Sequence, residues 1–259
     1  MELKGKTVIV TGAGRGIGRA LALEFGRQGC KVACCARNRT EIEETANMIK
    51  KEGGEAMAIA VDITSPEQVK KMVAEVVKAW GRIDILFNNA GSFQAIGPLW
   101  EVDPEVWWHD VTVNLRGVML CCQAVLPHMM AREEGVIINM NGGGATVPLP
   151  GGSGYGCSKA AVMRLTDTLA RELEKVGSRV LVFGMGPGLV RTKMTELQAQ
   201  TEAAQALQAQ HTQLQEQLQQ QTQAKEATEA QLAQTQQAQQ DLQTRLTQAE
   251  QSSQQRQAE

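Results

Sequence analysis

The sequence predicts an α/β fold, a doubly wound parallel sheet, followed by a helical tail of different composition. Two observations carry this. Up to about Thr195, short apolar runs alternate with longer helical patterns; from Leu197 to Glu259 no glycine, proline, aromatic residue or valine occurs, and glutamine and alanine dominate. The chain therefore divides into residues 1–195 and 196–259.

Six strands are expected, near Thr7–Thr11, Lys31–Cys35, Ala56–Val61, Ile83–Asn88, Val136–Met140 and Arg179–Phe183. Each is short and apolar on both faces, as a parallel strand covered by helices on either side must be. The segments between them are long enough to hold crossover helices, which gives a doubly wound sheet. Helix starts are marked by Thr40-x-x-Glu43, Ser65-Pro66-Glu67-Gln68 and Asp103-Pro104-Glu105, where a side-chain oxygen can bond the open N–H groups of a first turn.

The tail has its own order. Leu197, Leu218, Leu232 and Leu246 fall on position a of one heptad register, and Leu207, Leu214 and Leu242 on position d. Other seam positions hold Ala204, His211, Lys225, Thr228, Thr235 and Gln239, so the seam is polar. The tail reads as a helix with a coiled-coil-like seam too polar to hold tightly, with a stable coiled coil and a glutamine-rich disordered segment both left open.

With 259 residues, 42% apolar and a formal charge of -2, the chain can bury one substantial core and has no electrostatic bias toward nucleic acid or membrane. It shows neither a membrane-length apolar run nor signal-peptide regions, so a cytoplasmic address is expected. Cys30, Cys34, Cys35, Cys121, Cys122 and Cys157 have no C-x-x-C spacing and read as reduced core thiols, with no metal site. Trp100, Trp107 and Trp108 read as core or helix-pair packing rather than a substrate platform.

The run Thr11-Gly12-Ala13-Gly14-Arg15-Gly16-Ile17-Gly18 follows an apolar strand and opens a helix. Glycines there permit a tight turn and let a pyrophosphate approach backbone N–H groups where the helix dipole favours negative charge. At the end of the second strand, Cys34-Cys35-Ala36-Arg37-Asn38 offers a guanidinium and no carboxylate for ribose hydroxyls. With Arg15, this suits a 2′-phosphate, hence NADP(H) over NAD.

Tyr155, the only tyrosine, stands four residues before Lys159, so the two share a helix face. An ammonium there can stabilise the phenolate of a group whose free pKa is about 10, making a proton donor for carbonyl reduction. This spacing also arises by chance on amphipathic helices, and the other motifs give it weight.

With Thr11-Gly12-x-x-x-Gly16-x-Gly18, Asn88-Asn89-Ala90-Gly91, Tyr155-x-x-x-Lys159 and Pro187-Gly188-x-Val190-x-Thr192, residues 1–195 resemble the short-chain dehydrogenase/reductase family, of the single-domain NADP-preferring kind. The resemblance implies a Rossmann-type fold and an oxidoreductase that moves a hydride between NADP(H) and a small-molecule alcohol or carbonyl substrate. It implies Asn114, Tyr155 and Lys159 as catalytic residues, with Tyr155 as general acid/base and Asn114 in a proton relay. Cofactor contacts are implied at Gly12, Arg15, Gly16, Ile17, Gly18, Arg37, Asp62, Ile63, Asn89, Ala90, Gly91, Tyr155, Lys159, Pro187, Gly188, Val190 and Thr192. A homo-oligomer is expected.

The chain departs from the family pattern twice. Thirteen residues before the tyrosine the family places a serine that orients the substrate carbonyl; here stands Gly142, with Asn141 and Ser153 the nearby groups able to substitute. The family also continues past the sixth strand with a lid helix and a seventh strand, where this chain runs into its heptad tail, leaving the sixth strand as a sheet edge. These departures favour the second reading, a catalytically impaired dinucleotide-binding scaffold or sensor assembled through the tail.

Overall fold

A computed structural model describes residues 2–188, 190 and 192–258. Six strands form: β1 Thr7–Thr11, β2 Lys31–Ala36, β3 Glu55–Ala60, β4 Ile85–Asn88, β5 Val136–Met140 and β6 Leu181–Met185. They make one sheet in the order β3-β2-β1-β4-β5-β6, with every pairing parallel. The doubly wound architecture is as expected, and the largest shift is in β6, which starts two residues late. Its register sets Leu181 opposite Val136, the first residue of β5, so Arg179 has no strand residue to pair with.

The helices are α1 Gly16–Arg27, α2 Arg39–Lys51, α3 Pro66–Trp80, α4 Pro104–Val111, α5 Gly117–Met130, α6 Ser153–Lys175 and α7 Lys193–Ala258. The five residues Thr112–Arg116 form a π-helical turn joining α4 to α5. Ser65 and Asp103 cap α3 and α4 as the sequence indicates, the Asp103 carboxylate accepting from Glu105 N (2.8 Å) and Val106 N (3.1 Å). At α2 the expectation is corrected: Asn38 is the cap, accepting from Glu41 N at 3.3 Å. That earlier cap captures the open N–H groups first, leaving Thr40 and Glu43 inside the helix.

Side chains alternate across the sheet. Val8, Val10, Val32 and Phe87 enter one buried cluster with Ile42 and Ile49 of α2; Ile9, Leu86 and Ile137 enter the other with Val73, Val125 and Val162 of α3, α5 and α6. Strand order reverses between β1 and β4, which opens a crevice beyond their carboxyl ends. Near the opposite end of the sheet Asp84 is fully buried, taking the N–H of Thr7 at 2.8 Å and the guanidinium groups of Arg82 and Arg132.

Cys30, Cys34, Cys35, Cys121 and Cys122 are buried free thiols, and burial pushes those of Cys34 and Cys122 up to about 12. Cys157 is corrected to an exposed position on α6. Of the tryptophans, Trp107 packs within the chain, its ring against Gly154 and its N–H donating to Ser153 Oγ at 3.0 Å, while Trp100 (84%) and Trp108 (58%) are exposed on the single chain and lie outside its core.

Contacts divide the chain into two units, residues 1–202 and 203–259. Within the second, Leu207, Leu214, Leu218, Leu232 and Leu242 are exposed along the helix; the side chains of Leu197 and Leu246 lie outside the described residues. In the first, β3 and β6 are the sheet edges, and on β6 Leu181 (53%) and Phe183 (50%) are exposed. Among the described residues no helix is long and apolar enough to cross a membrane.

Candidate active site

The crevice holds a cavity of about 420 Å³. Its floor is the turn from β1 into α1. Arg15 precedes α1 in extended conformation without a side-chain cap, and the first turn carries no acidic residue, so its N–H groups are open to an anion. Gly12 turns with φ +68°; a Cβ there would lie 2.9 Å from Ala90 Cα, and one on Gly18 would collide with Gly12 O. The turn is tied to the end of β4, where Thr11 Oγ1 accepts from Asn89 N (3.0 Å) and Ala90 N (3.1 Å). The Asn89 amide donates to Thr11 O (3.0 Å) and Gly12 O (3.3 Å). Asn89, Ala90 and Gly91 are thereby brought alongside the glycines.

The outer rim carries Arg15, Arg37, Glu41 and Asp62. Arg15 reaches Glu41 at 3.5 Å across an exposed gap, and Arg37 makes no hydrogen bond or ion pair among the described residues. Burial alone would raise the Asp62 carboxyl, yet bonds from Thr64 N (2.9 Å) and Thr64 Oγ1 (2.8 Å), with Arg37 and His109 nearby, hold it below its usual value.

At the inner end, α6 presents Tyr155 and Lys159. The Tyr155 ring stacks on Phe93 at 4.7 Å between centroids. Lys159 is buried, its Nζ 5.5 Å from the Tyr155 ring centroid and donating to Met140 O at 2.8 Å. Desolvation lowers the lysine to about 8. The expectation that the lysine depresses the phenol is corrected for the free protein: Tyr155 is raised, by burial first and by the Asp110 charge second. The ammonium makes no direct bond to the phenol oxygen, so desolvation wins.

The π-helical turn aims Asn114 inward. Its carboxamide exchanges hydrogen bonds with Ser92 (N–H to Oδ1 2.7 Å, Nδ2 to O 2.8 Å) and donates to Ser158 Oγ at 3.0 Å. Asp110, one turn earlier and fully buried, accepts from Ser92 Oγ (2.6 Å), Gln94 N (2.8 Å) and Ala95 N (2.9 Å). Together they fix the loop that carries Phe93 onto Tyr155.

Of the residues expected from sequence, Gly12, Arg15, Gly16, Ile17, Gly18, Arg37, Asp62, Ile63, Asn89, Ala90, Gly91, Tyr155, Lys159, Pro187 and Thr192 line this cavity. Asn114 stands behind the lining, and Gly188 and Val190 are outside it. Sequence reasoning missed Gly14, Ala36, Asn38, Glu41, Val61, Val113, Met140 and Met194 as lining residues. Glu41 was legible in principle, four residues after Arg37 on a helix whose start points at the crevice.

The family pattern described as short chain dehydrogenase matches residues 6–203. The chain belongs to the short-chain dehydrogenase family. A short chain dehydrogenase of Pseudocercospora fijiensis is 41% identical over 195 residues, covering 74% of this chain and 62% of that protein, so the chain spans less than two thirds of that relative's length. An NAD+-bound xylitol dehydrogenase superposes with a TM-score of 0.72 at 32% identity, over 75% of this chain and 74% of that one. A metagenomic short-chain oxidoreductase in complex with NADP gives 0.68 at 34% identity, over 74% of this chain and 84% of that one.

One feature of this short-chain dehydrogenase explains its Gly142. The Tyr155 hydroxyl fills the space where a side chain at 142 would begin, so a Cβ there would overlap it. With a larger residue at 142, the phenol could not keep this position.

Proposed function

We propose that the chain is an oxidoreductase using NADP(H) on an alcohol or carbonyl substrate, with Tyr155 as general acid/base. The observation that carries this reading is a phenol and a buried lysine closing the inner end of a cavity whose floor is an uncapped helix N-terminus. The cradle suits a dinucleotide, since glycines at 12 and 18 let the turn close against Asn89 and Ala90, where a Cβ would collide, and the α1 N-terminus it leads into is uncapped.

Gly12, Gly16, Ile17 and Gly18 would hold the pyrophosphate, Arg15 and Arg37 the 2′-phosphate, and Asp62 and Ile63 the adenine. Asn89, Ala90 and Gly91 would flank the inner ribose, and Pro187, Gly188, Val190 and Thr192 the carboxamide end. When bound, the nicotinamide supplies or accepts the hydride. Tyr155 donates its phenolic proton to the substrate oxygen in reduction and removes it in oxidation. Lys159, charged below about pH 8, favours the phenolate left behind. Asn114 holds Ser92 and Ser158 in place for proton replacement through Lys159. Residues 1–195 act as the catalytic domain, and the tail from 196 joins copies through its heptad leucines.

Coenzyme choice rests on Arg37. Its guanidinium makes no hydrogen bond or ion pair among the described residues, and the long, exposed Arg15–Glu41 pair yields readily to a phosphate. Glu41 is the observation that favours NAD, since a carboxylate there can accept ribose hydroxyls. Arg37→Ala is expected to weaken NADPH binding about 10- to 100-fold, the worth of a charged hydrogen-bonding group, with little change for NADH. Glu41→Gln should tighten NADPH. Fluorescence titration of both coenzymes checks this; the opposite pattern assigns NAD.

The test of the whole reading is loss of reduced-nicotinamide absorbance with a panel of ketones. NADPH binding without oxidation by any panel member would instead support the scaffold reading.

A further inference from the structure

Position 142 offers no side-chain donor to the substrate oxygen, and the two neighbouring side chains able to replace it are placed differently. Ser153 Oγ accepts the Trp107 N–H at 3.0 Å and stands outside the lining of the cavity that holds Tyr155 and Lys159. Asn141 is free. Among the described residues its carboxamide makes no hydrogen bond, and its Oδ1 is one of three buried side-chain oxygens without a partner, with those of Thr7 and Asn88. Of these three residues only Asn141 lines the cavity shared with Tyr155 and Lys159.

Its backbone is fixed on both sides. Asn141 N donates to Met185 O at 2.8 Å, and the preceding carbonyl, Met140 O, is the acceptor of Lys159 Nζ. Gly184 of β6 makes room for the side chain: a Cβ there would lie 2.7 Å from Asn141 Nδ2. Turning the carboxamide about its last bond puts Nδ2 where the unpartnered Oδ1 stands, and a buried polar group without a partner gains most when a ligand completes it.

Building on the oxidoreductase reading above, we propose that Asn141 holds the reacting oxygen of the substrate, its amide N–H donating to the carbonyl oxygen that Tyr155 protonates. The glycine at 142 and the amide at 141 are then one arrangement: the phenol moves into the space of the absent hydroxyl, and the donor comes from the adjacent residue. The reaction is unchanged in balance, with the hydride going to carbon and the phenolic proton to oxygen.

The test compares Asn141→Ala, Asn141→Asp and Asn141→Ser with the full wild-type chain, using the ketone panel, NADPH titration and thermal melts. Asn141→Ala is expected to lower kcat about 10²- to 10³-fold, as removal of one preorganised donor does, with NADPH affinity within twofold. Asn141→Ser restores a donor and part of the rate; Asn141→Asp, which has no donor when ionised, does not. A kcat for Asn141→Ala within threefold of wild type overturns the proposal, while Tyr155→Phe in parallel reports on the acid/base reading separately. If the wild type turns over no panel ketone, the readout is trifluoroethanol binding to the NADP+ complex, followed by its fluorine resonance. A loss of affinity of tenfold or more in Asn141→Ala upholds the assignment, and a smaller change sinks it.

Discussion

Tyr155→Phe is expected to lower ketone reduction by about 10²- to 10⁴-fold, the usual worth of a positioned proton donor, while NADPH affinity stays within about threefold. The substitution removes one oxygen from the inner end of the cavity and leaves the ring stacked on Phe93. No other phenol exists in the chain to take over. The lysine keeps its bond to Met140 O, so the pocket retains its shape and the fold loses little. Loss of rate with intact binding places the defect in the chemical step. Undiminished turnover would remove Tyr155 from the reaction.

The largest effect on stability is expected at Asp84→Ala, about 3–5 kcal/mol in a denaturant melt. Its buried carboxylate is shared by Arg82 and Arg132 and also satisfies the N–H of Thr7 at the start of β1. Truncation leaves the Thr7 N–H without its acceptor and the two guanidinium groups with Glu134 Oε2 alone, at 3.3 Å from each, to share. Burial works against ionisation of Asp84, but the bonds from Arg82, Thr7 and Arg132 outweigh it and hold the carboxyl below its usual value. Because the folded value is depressed, the contribution is fully present above the unfolded value of about 4 and is lost as pH falls through the folded one. Wild type and variant should therefore converge in stability in acid. A constant gap down to pH 2 would contradict this.

The glycine turn, the six strands and the Tyr155–Lys159 pairing were legible because each is a local pattern, set by period, turn chemistry or helical spacing. Contributions that depend on distant parts of the chain were hidden. Nothing local distinguishes Thr112–Arg116 from ordinary helix, yet its π turn sets how Asn114 meets Ser92. Glu41 is signalled only by its spacing from Arg37, and otherwise reads as a surface helix residue until the crevice folds beside it. The direction of the Tyr155 shift was misjudged because helical spacing shows that an amine is near, while desolvation depends on everything packed around both groups. The missing serine was plain at Gly142; that the phenol itself fills the vacated space needed coordinates.

A lone tyrosine also makes the protein its own indicator dye. Ultraviolet difference spectra near 295 nm will record ionisation at one atom, free of the background that several phenols would add. With the ring buried against Phe93, that colour change should come at higher pH than for an exposed phenol. Any ligand that draws the curve toward neutrality announces that it has reached the reaction centre.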